Sequence, residues 1–389
     1  MMELERADRL KRLPPYLFAE IERMKTEAAK TGLDIISFGI GDPDLPTPPH
    51  IIEVLNEAAR NPANHQYPSY EGMLVFRRAV AAWYKQRFDV ELDPEREVLS
   101  LIGSKEGIAH ISLAFINPGE VVIVPDPAYP VYHAGAVFAG GETVEMPLLA
   151  ENQFLPDLED LKRSVLRRAK LLFLNYPNNP TAAVATEAFF AQAVEFAREH
   201  ELVLVHDAAY SEMYFDGVKT MSVLQVPGAK DVAVEFHSVS KTYNMTGWRV
   251  GFVVGNADVL AGLGAIKTNV DSGVFQAVQE AAVAALAGDQ SCVEEMRRVY
   301  ERRRDVMVEG LRSLGLEPNR PSATFYVWIP VPGKYTSIDL TTHILRETGV
   351  VVTPGNGFGE AGEGFVRMAL TQSEDRIEEA LERIRKVGF

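Results

Sequence analysis

The sequence predicts an α/β fold: a mostly parallel sheet lying between helices, joined to a smaller α+β unit. Three observations carry this. From about residue 98, short continuous apolar runs rich in β-branched residues alternate with amphipathic segments, the pattern of strands buried on both faces. A long helical segment, "SCVEEMRRVYERRRDVMVEGLRSLG" (291–315), then has the length to bridge two units. Beyond it, strand-like runs return and a helix closes the chain.

In chain order, a polar N-terminal segment leads to "IISFGIGDPDLPTPPH", whose Gly and Pro density reads as a loop leaving a short strand. Helical periodicity follows. The runs "VVIVPD", "KLLFLNYP", "ELVLVHDAAY", "VAVEFHS" and "VGFVVGN" then read as strands of the main sheet, separated by helices. After the bridging helix, "TFYVWIPV", "VVVTPG" and "GFVRMALT" read as strands of the smaller unit, closed by the helix "SEDRIEEALERIRKV". No internal repeat, low-complexity tract or long linker interrupts this order.

Composition narrows the function. The chain has 389 residues and a formal net charge of −15, which argues against a nucleic acid or an anionic membrane as partner. The basic run "RRVYERRR" (297–304) reads as the solvated face of a long amphipathic helix. A single cysteine, Cys292, excludes an internal disulfide framework and a cysteine-rich zinc site. The start "MMELERADRLKRLPPY" lacks an apolar signal core and no run of about 18 apolar residues occurs, so a cytoplasmic protein is expected.

The stretch "HSVSKTYNMTGWRVG" (237–251) holds a lysine, Lys241, among hydroxyls, with an arginine shortly after. A phosphate-binding P-loop would need Gly where Ser240 and Phe236 stand. "GNGFGEAGEG" (355–364) has a dinucleotide-like Gly spacing but precedes a strand-like run where a helix should begin. His206 and Asp207 are adjacent on one strand and point to opposite faces, so no shared metal is expected.

What survives is a covalent role: a lysine amine forming a Schiff base with the aldehyde of pyridoxal 5'-phosphate. Such a site needs a carboxylate at the pyridine nitrogen, donors to the ring oxygen, an anion cradle, and a cation for the substrate carboxylate. Asp207, at the end of a strand, is the candidate carboxylate and is also readable as a turn or cap residue. Tyr210 and Asn179 are candidate ring-oxygen donors, Asn179 being equally an Asn-Pro turn residue. "GSKEG" (103–107) enters a helix, where backbone amides and the Ser104 hydroxyl form an anion site. Ser238 and Arg249 would add a hydroxyl and a fixed charge. Arg367 stands in an otherwise apolar strand, where an unpaired charge is expensive; it suits a bidentate α-carboxylate better than the alternative, a structural ion pair.

Taken together, "GIGDPD", "YPSYEG", "GSKEG", "PDPAYPVY", "NYPNNPT", "DAAY", "SKTYNMTGWRVG" and "FVRMAL" run in the order found in the class I/II aminotransferases, pyridoxal-phosphate enzymes of fold type I. The whole chain resembles that family. The resemblance implies a seven-stranded, mostly parallel sheet in a large domain at 46–285, a small C-terminal domain at 286–389, and an N-terminal segment at 1–45 contributing to the small domain and to dimer contacts. It implies that Lys241 is the Schiff-base lysine, Asp207 the pyridinium partner, and Asn179 and Tyr210 the ring-oxygen donors. Tyr129 would lie on or beside the ring, and Ser104, Lys105, Ser238, Ser240 and Arg249 would line the phosphate pocket. Gly41, beside the N-terminal loop, would line the substrate site, and Arg367 would hold the α-carboxylate. Family members are homodimers, so Tyr67 and Asn269 would reach the partner's site. Amino acids and 2-oxo acids are the implied substrates.

Within the family, "FHSVSKTYNMTGWRVG", "RLPPYLFAEIERMK" and "YPSYEG" are most similar to members acting on LL-diaminopimelate, with 2-oxoglutarate and glutamate as the other pair, in lysine biosynthesis. A general aminotransferase for aspartate, alanine or aromatic amino acids is the alternative. A diaminopimelate site needs polar groups for a second ammonium and carboxylate. Lys105 and Tyr16 are candidates for the distal carboxylate and Glu71 for the distal ammonium. Each also has a plainer reading: phosphate contact for Lys105, packing beside Pro14 and Pro15 for Tyr16, a turn for Glu71.

Overall fold

The computed structural model describes residues 4–30 and 32–388. In chain order its strands are β1 (Ile36–Ser37), β2 (Val98–Leu101), β3 (Val121–Asp126), β4 (Glu142–Pro147), β5 (Ala169–Asn175), β6 (Val203–Asp207), β7 (Ala233–Ser238), β8 (Gly251–Gly255), β9 (Tyr326–Pro330), β10 (Val350–Val351), β11 (Thr353–Pro354) and β12 (Phe365–Ala369). Among the described residues, seven of them form one sheet in the order β2-β8-β7-β6-β5-β3-β4.

The alternation of side chains along these strands builds two cores. On β5, Leu172 and Leu174 join the cluster on one face, with Phe189, Phe190 and Leu204, while Leu171 and Phe173 join the other, with Ile108, Tyr132 and Val205. Strands buried on both faces need apolar residues at every position, which is why their sequences read as unbroken runs. Strands β4, β3, β5, β6 and β7 are mutually parallel, so their carboxyl ends share one edge of the sheet. In register, Asn175 lies opposite Asp207 and Asp207 opposite Phe236.

Three expectations need correction. β8 ("VGFVVGN") runs antiparallel to both neighbours, β2 and β7. Residues 239–250 hold only the one-turn helix Val239–Thr242 and the 3-10 turn Thr246–Trp248, so the chain reverses there instead of crossing over. "VVVTPG" is two strands: β10 pairs with β1, while β11 joins β12 and β9 in a three-stranded antiparallel sheet. The arginines of the helix Ser291–Ser313 are not all solvated: Arg297, Arg303 and Arg304 are buried. Arg303 grips Asp44 at 2.7 and 2.8 Å, and Arg304 grips Asp216 at 2.6 and 3.0 Å. Charge counted along a helix does not reveal which charges meet a carboxylate from a distant segment.

The Arg303–Asp44 pair ties that helix to the loop after β1, which also reaches the main sheet: Thr47 donates to the Asn244 carbonyl at 2.7 Å. Gly251, where β8 begins, sets how closely the sheet meets the helix Ser104–Phe115. A Cβ there would lie 2.7 Å from the His237 carbonyl oxygen and 2.9 Å from the Ser104 amide nitrogen. Both are backbone atoms and cannot swing aside. Gly251→Ala should therefore destabilise the protein by about 1–3 kcal/mol through overpacking; an unchanged urea midpoint would mean that the helix start is loosely held.

Candidate active site

A cavity of about 300 Å³ opens at the carboxyl ends of β5, β6 and β7. Lys241 enters it from the one-turn helix directly after β7. Ser238 caps that turn, its Oγ accepting the Ser240 N–H at 3.2 Å. The Lys241 ammonium donates to the Gly41 carbonyl at 3.0 Å. Burial is the main influence on this amine, opposed by Asp42 and reinforced by Arg249 and Arg367, and it brings the pKa down to about 8.

Asp207 closes β6 and is buried, which pushes its carboxyl up; the Tyr132 hydroxyl, donating at 2.8 Å, opposes the shift. Its neighbour His206 points to the other face, as strand alternation requires. There His206 Nε2 accepts the Tyr176 N–H at 3.2 Å, leaving Nδ1 to donate to Glu235 at 2.8 Å. Burial alone would raise the Glu235 carboxyl, but hydrogen bonds from His206 and His237 hold it well below the usual carboxylate range.

Asn175 and Asn179 organise the loop after β5. Asn175 donates to the Asp207 carbonyl at 2.8 Å and accepts the Asn179 N–H at 2.9 Å. Asn179 Oδ1 accepts from Arg367 Nη1 at 2.7 Å, which leaves its Nδ2 as the side chain's donor. Arg367 Nη2 donates to the Gly39 carbonyl at 2.7 Å. Its guanidinium lies 4.1 Å from the Tyr326 ring centroid, and the Tyr326 and Tyr210 hydroxyls are 2.9 Å apart. Arg367 lies next to the cavity, in contact with Asn179 and Tyr326, which line it. Gly41 is obligatory here, because a Cβ would overlap the Tyr326 hydroxyl.

At the other end lies an anion cradle. The helix Ser104–Phe115 starts at the cavity with its amides unpaired within the helix, and Ser104, Ser238, Ser240 and Arg249 line the same end. Gly103, at φ 75°, lets Arg249 approach: a Cβ there would overlap the guanidinium. Lys105 donates to the Tyr16 hydroxyl at 2.8 Å and lies 5.6 Å from the Tyr129 ring centroid, so these three residues form the cavity's outer wall.

The structure thus brings together Tyr16, Gly41, Ser104, Lys105, Tyr129, Asn179, Asp207, Tyr210, Ser238, Ser240, Lys241 and Arg249. Tyr67, Asn269 and Glu71 lie elsewhere. Tyr67 is 87% exposed and Asn269 is bonded to its own helix at the Ala265 carbonyl. Glu71 accepts from Ser69 at 2.6 Å and borders a separate hollow. Sequence reasoning missed Asn175, Tyr132 and Tyr326. Asn175 had a signal, a polar residue ending an apolar strand. The two tyrosines had none that separates them from core aromatics.

These donors fit a phosphate-bearing aldehyde: one cavity gathers a cradle that glycines keep open, a buried carboxylate and an amine of lowered basicity. No helix among the described residues is long and apolar enough to cross a membrane.

Comparison with known proteins identifies the family. The family model "Aminotransferase class I and II" matches residues 33–384. A relative named LL-diaminopimelate aminotransferase from Syntrophobacter fumaroxidans is 59% identical over 388 residues, covering 100% of each chain. One of the same name from Moorella thermoacetica is 58% identical over 384 residues, covering 99% of this chain and 98% of its own. Among solved structures, substrate-bound BacF from Bacillus subtilis superposes with a TM-score of 0.96 at 42% identity, covering 100% of this chain and 99% of its own.

Only a neutral amine attacks an aldehyde, and burial disfavours the Lys241 cation. In cofactor-free protein, covalent labelling of Lys241 by an aldehyde probe should therefore rise with pH through a midpoint near 8 and fall away below it. A midpoint in the ordinary lysine range, read by peptide mapping across pH, would contradict the desolvated environment.

Proposed function

Because the chain belongs to the class I and II aminotransferases, which use pyridoxal phosphate, we propose that it moves an amino group between LL-2,6-diaminopimelate and 2-oxoglutarate. In the biosynthetic sense this converts tetrahydrodipicolinate to LL-diaminopimelate on the way to lysine. One observation carries the substrate: 54–59% identity, over nearly the whole chain, to relatives of that name. The Lys105–Tyr16 pair on the outer wall supports it, offering an ammonium and a hydroxyl where a distal carboxylate would arrive.

The residue roles follow from the chemistry. Lys241 is the residue that would bond the cofactor's aldehyde, and its amine would be the base that accepts the proton from the substrate α-carbon. Bound there, pyridoxal phosphate supplies the electron sink for the electrons that proton leaves behind. Asp207 would keep the pyridine nitrogen protonated, and the Tyr132 hydroxyl, donating to its carboxylate, holds Asp207 in place. Asn179 Nδ2 and the Tyr210 hydroxyl are the donors for the ring oxygen, and Tyr129 bounds the ring. Ser104, Ser238, Ser240 and Arg249 take the phosphate. Arg367, already oriented by Asn179 and Gly39, takes the α-carboxylate. Both amino acid and 2-oxo acid pairs use these same groups in turn, which gives ping-pong kinetics.

The reading extends to a cytoplasmic homodimer in which Tyr67 and Asn269 complete the partner's site, supported by their position outside this chain's own cavity. It also divides the chain into an N-terminal segment (1–45), a large part (46–285) and a small part (286–389).

The deciding experiment mixes cofactor-loaded protein separately with LL-diaminopimelate, meso-diaminopimelate, alanine, aspartate, glutamate and phenylalanine, and follows the cofactor's absorbance. Fast conversion by LL-diaminopimelate and glutamate alone is expected. An inert LL-diaminopimelate beside reactive alanine, aspartate or phenylalanine would replace the reading with a general aminotransferase. Lys241→Ala should abolish turnover while the cofactor still binds. Arg367→Lys keeps the charge but loses the planar fork, and should lower kcat/KM for every amino donor by roughly a hundredfold, about 3 kcal/mol. Unchanged KM values would remove Arg367 from carboxylate binding.

A further inference from the structure

Behind the anion cradle lies a buried ionic cluster that none of the chemistry above uses. Lys267, on the helix Ala257–Val270, is 1% exposed. Its ammonium lies 3.2 Å from each carboxylate oxygen of Glu106 and 2.9 Å from Asp271 Oδ2. His110 Nδ1 is 2.9 Å from Glu106 Oε1. Glu106, His110 and Asp271 by themselves have the spacing of a metal site, but the lysine ammonium already stands between the two carboxylates. The chain supplies its own cation there.

Each carboxylate has a second bond, to backbone. Glu106 is the third residue of the helix Ser104–Phe115, and its Oε2 accepts the Ile102 N–H at 3.1 Å. The N-cap is Gly103, which has no side chain to cap with; Glu106 reaches one residue past it to the Ile102 N–H and closes the turn from Ile102 to Ser104. That turn aims the first helical amides into the cavity and holds Gly103 against Arg249. Asp271 Oδ1 accepts the Gly273 N–H at 2.8 Å, and Gly273 abuts Pro68, the neighbour of Tyr67. One ammonium therefore ties the cradle's turn to the segment carrying Asn269 and, through Gly273, to the loop carrying Tyr67. Lys267 is the fully buried member of the group and Glu106 and Asp271 are half-buried, so the ammonium depends on both carboxylates and in turn fixes where the Glu106 carboxylate sits.

We propose that Lys267 is a positioning residue for the cofactor's phosphate: by holding Glu106 it keeps the Ile102–Ser104 turn in the shape that binds the anion. This rests on the reading of Ser104 and Arg249 as phosphate ligands. The side chain touches neither cofactor nor substrate. Its effect is confined to ligands that bear the phosphate.

The test is equilibrium binding of pyridoxal phosphate and of unphosphorylated pyridoxal to the full-length chain freed of cofactor, in wild type, Lys267→Met and Glu106→Gln. Wild type should prefer the phosphorylated form strongly. Lys267→Met should weaken pyridoxal phosphate by about tenfold, the loss usual for an outer-shell partner of a ligand site, and leave pyridoxal unchanged. Glu106→Gln keeps the volume and an acceptor for Ile102, and should shift the preference the same way by a smaller factor; it decides the matter if Lys267→Met does not fold. Lys267→Arg should restore most of the preference. Variants that keep the wild-type ratio of the two affinities, or lose both affinities equally, overturn the proposal. A wild type that binds both forms equally overturns the phosphate cradle itself, a distinguishable result.

Discussion

The guanidinium of Arg367 is wholly buried, and the rest of the site is arranged around meeting its needs. A buried charge without partners would be prohibitive. Three of its partners come from distant segments: the Gly39 carbonyl after β1, the Asn179 amide after β5, and the Tyr326 ring on β9. Meeting all three draws the N-terminal loop, the edge of the large sheet and the three-stranded sheet to one point. Gly41 and Asn179 take their places on the cavity wall as a result.

A second constraint is close backbone approach. Parallel strands put Asn175, Asp207 and Ser238 on one edge, but an anion cradle needs the helix Ser104–Phe115 to start against β7 and β8 at the same edge. Gly103 and Gly251 permit this, since a Cβ on either would strike Arg249 or the Ser104 amide. Glu106 and Lys267 then keep the turn from relaxing. Rigidity here serves chemistry, because donors fixed before the ligand arrives need little reorganisation when it binds.

The electrostatics follow from the same burial. Lys241 loses basicity because the cavity desolvates it and because Arg249 and Arg367 lie within reach; Asp207 moves the opposite way for the same reason, burial disfavouring its charge. Each group is thereby shifted toward its neutral form. A cationic pyridine nitrogen would return the charge that Asp207 is poised to carry.

The sequence alone determined five of the seven strands of the main sheet, the long helix near residue 300 and the closing helix, and the residues whose type is demanded by chemistry. A lysine among hydroxyls, an aspartate ending an apolar strand and an arginine inside one are legible because each violates local expectation. Tertiary structure decided what depends on partners far along the chain. The reversal of β8, the split of "VVVTPG", the burial of Arg297, Arg303 and Arg304, and the roles of Tyr132 and Tyr326 all turn on contacts across long separations. Lys267 is the clearest instance: in sequence it is one more helical lysine with Asp271 four residues on, and only the fold brings Glu106 to it. Local sequence records what a residue can do, whereas the free energy of a buried charge is set by what meets it in space.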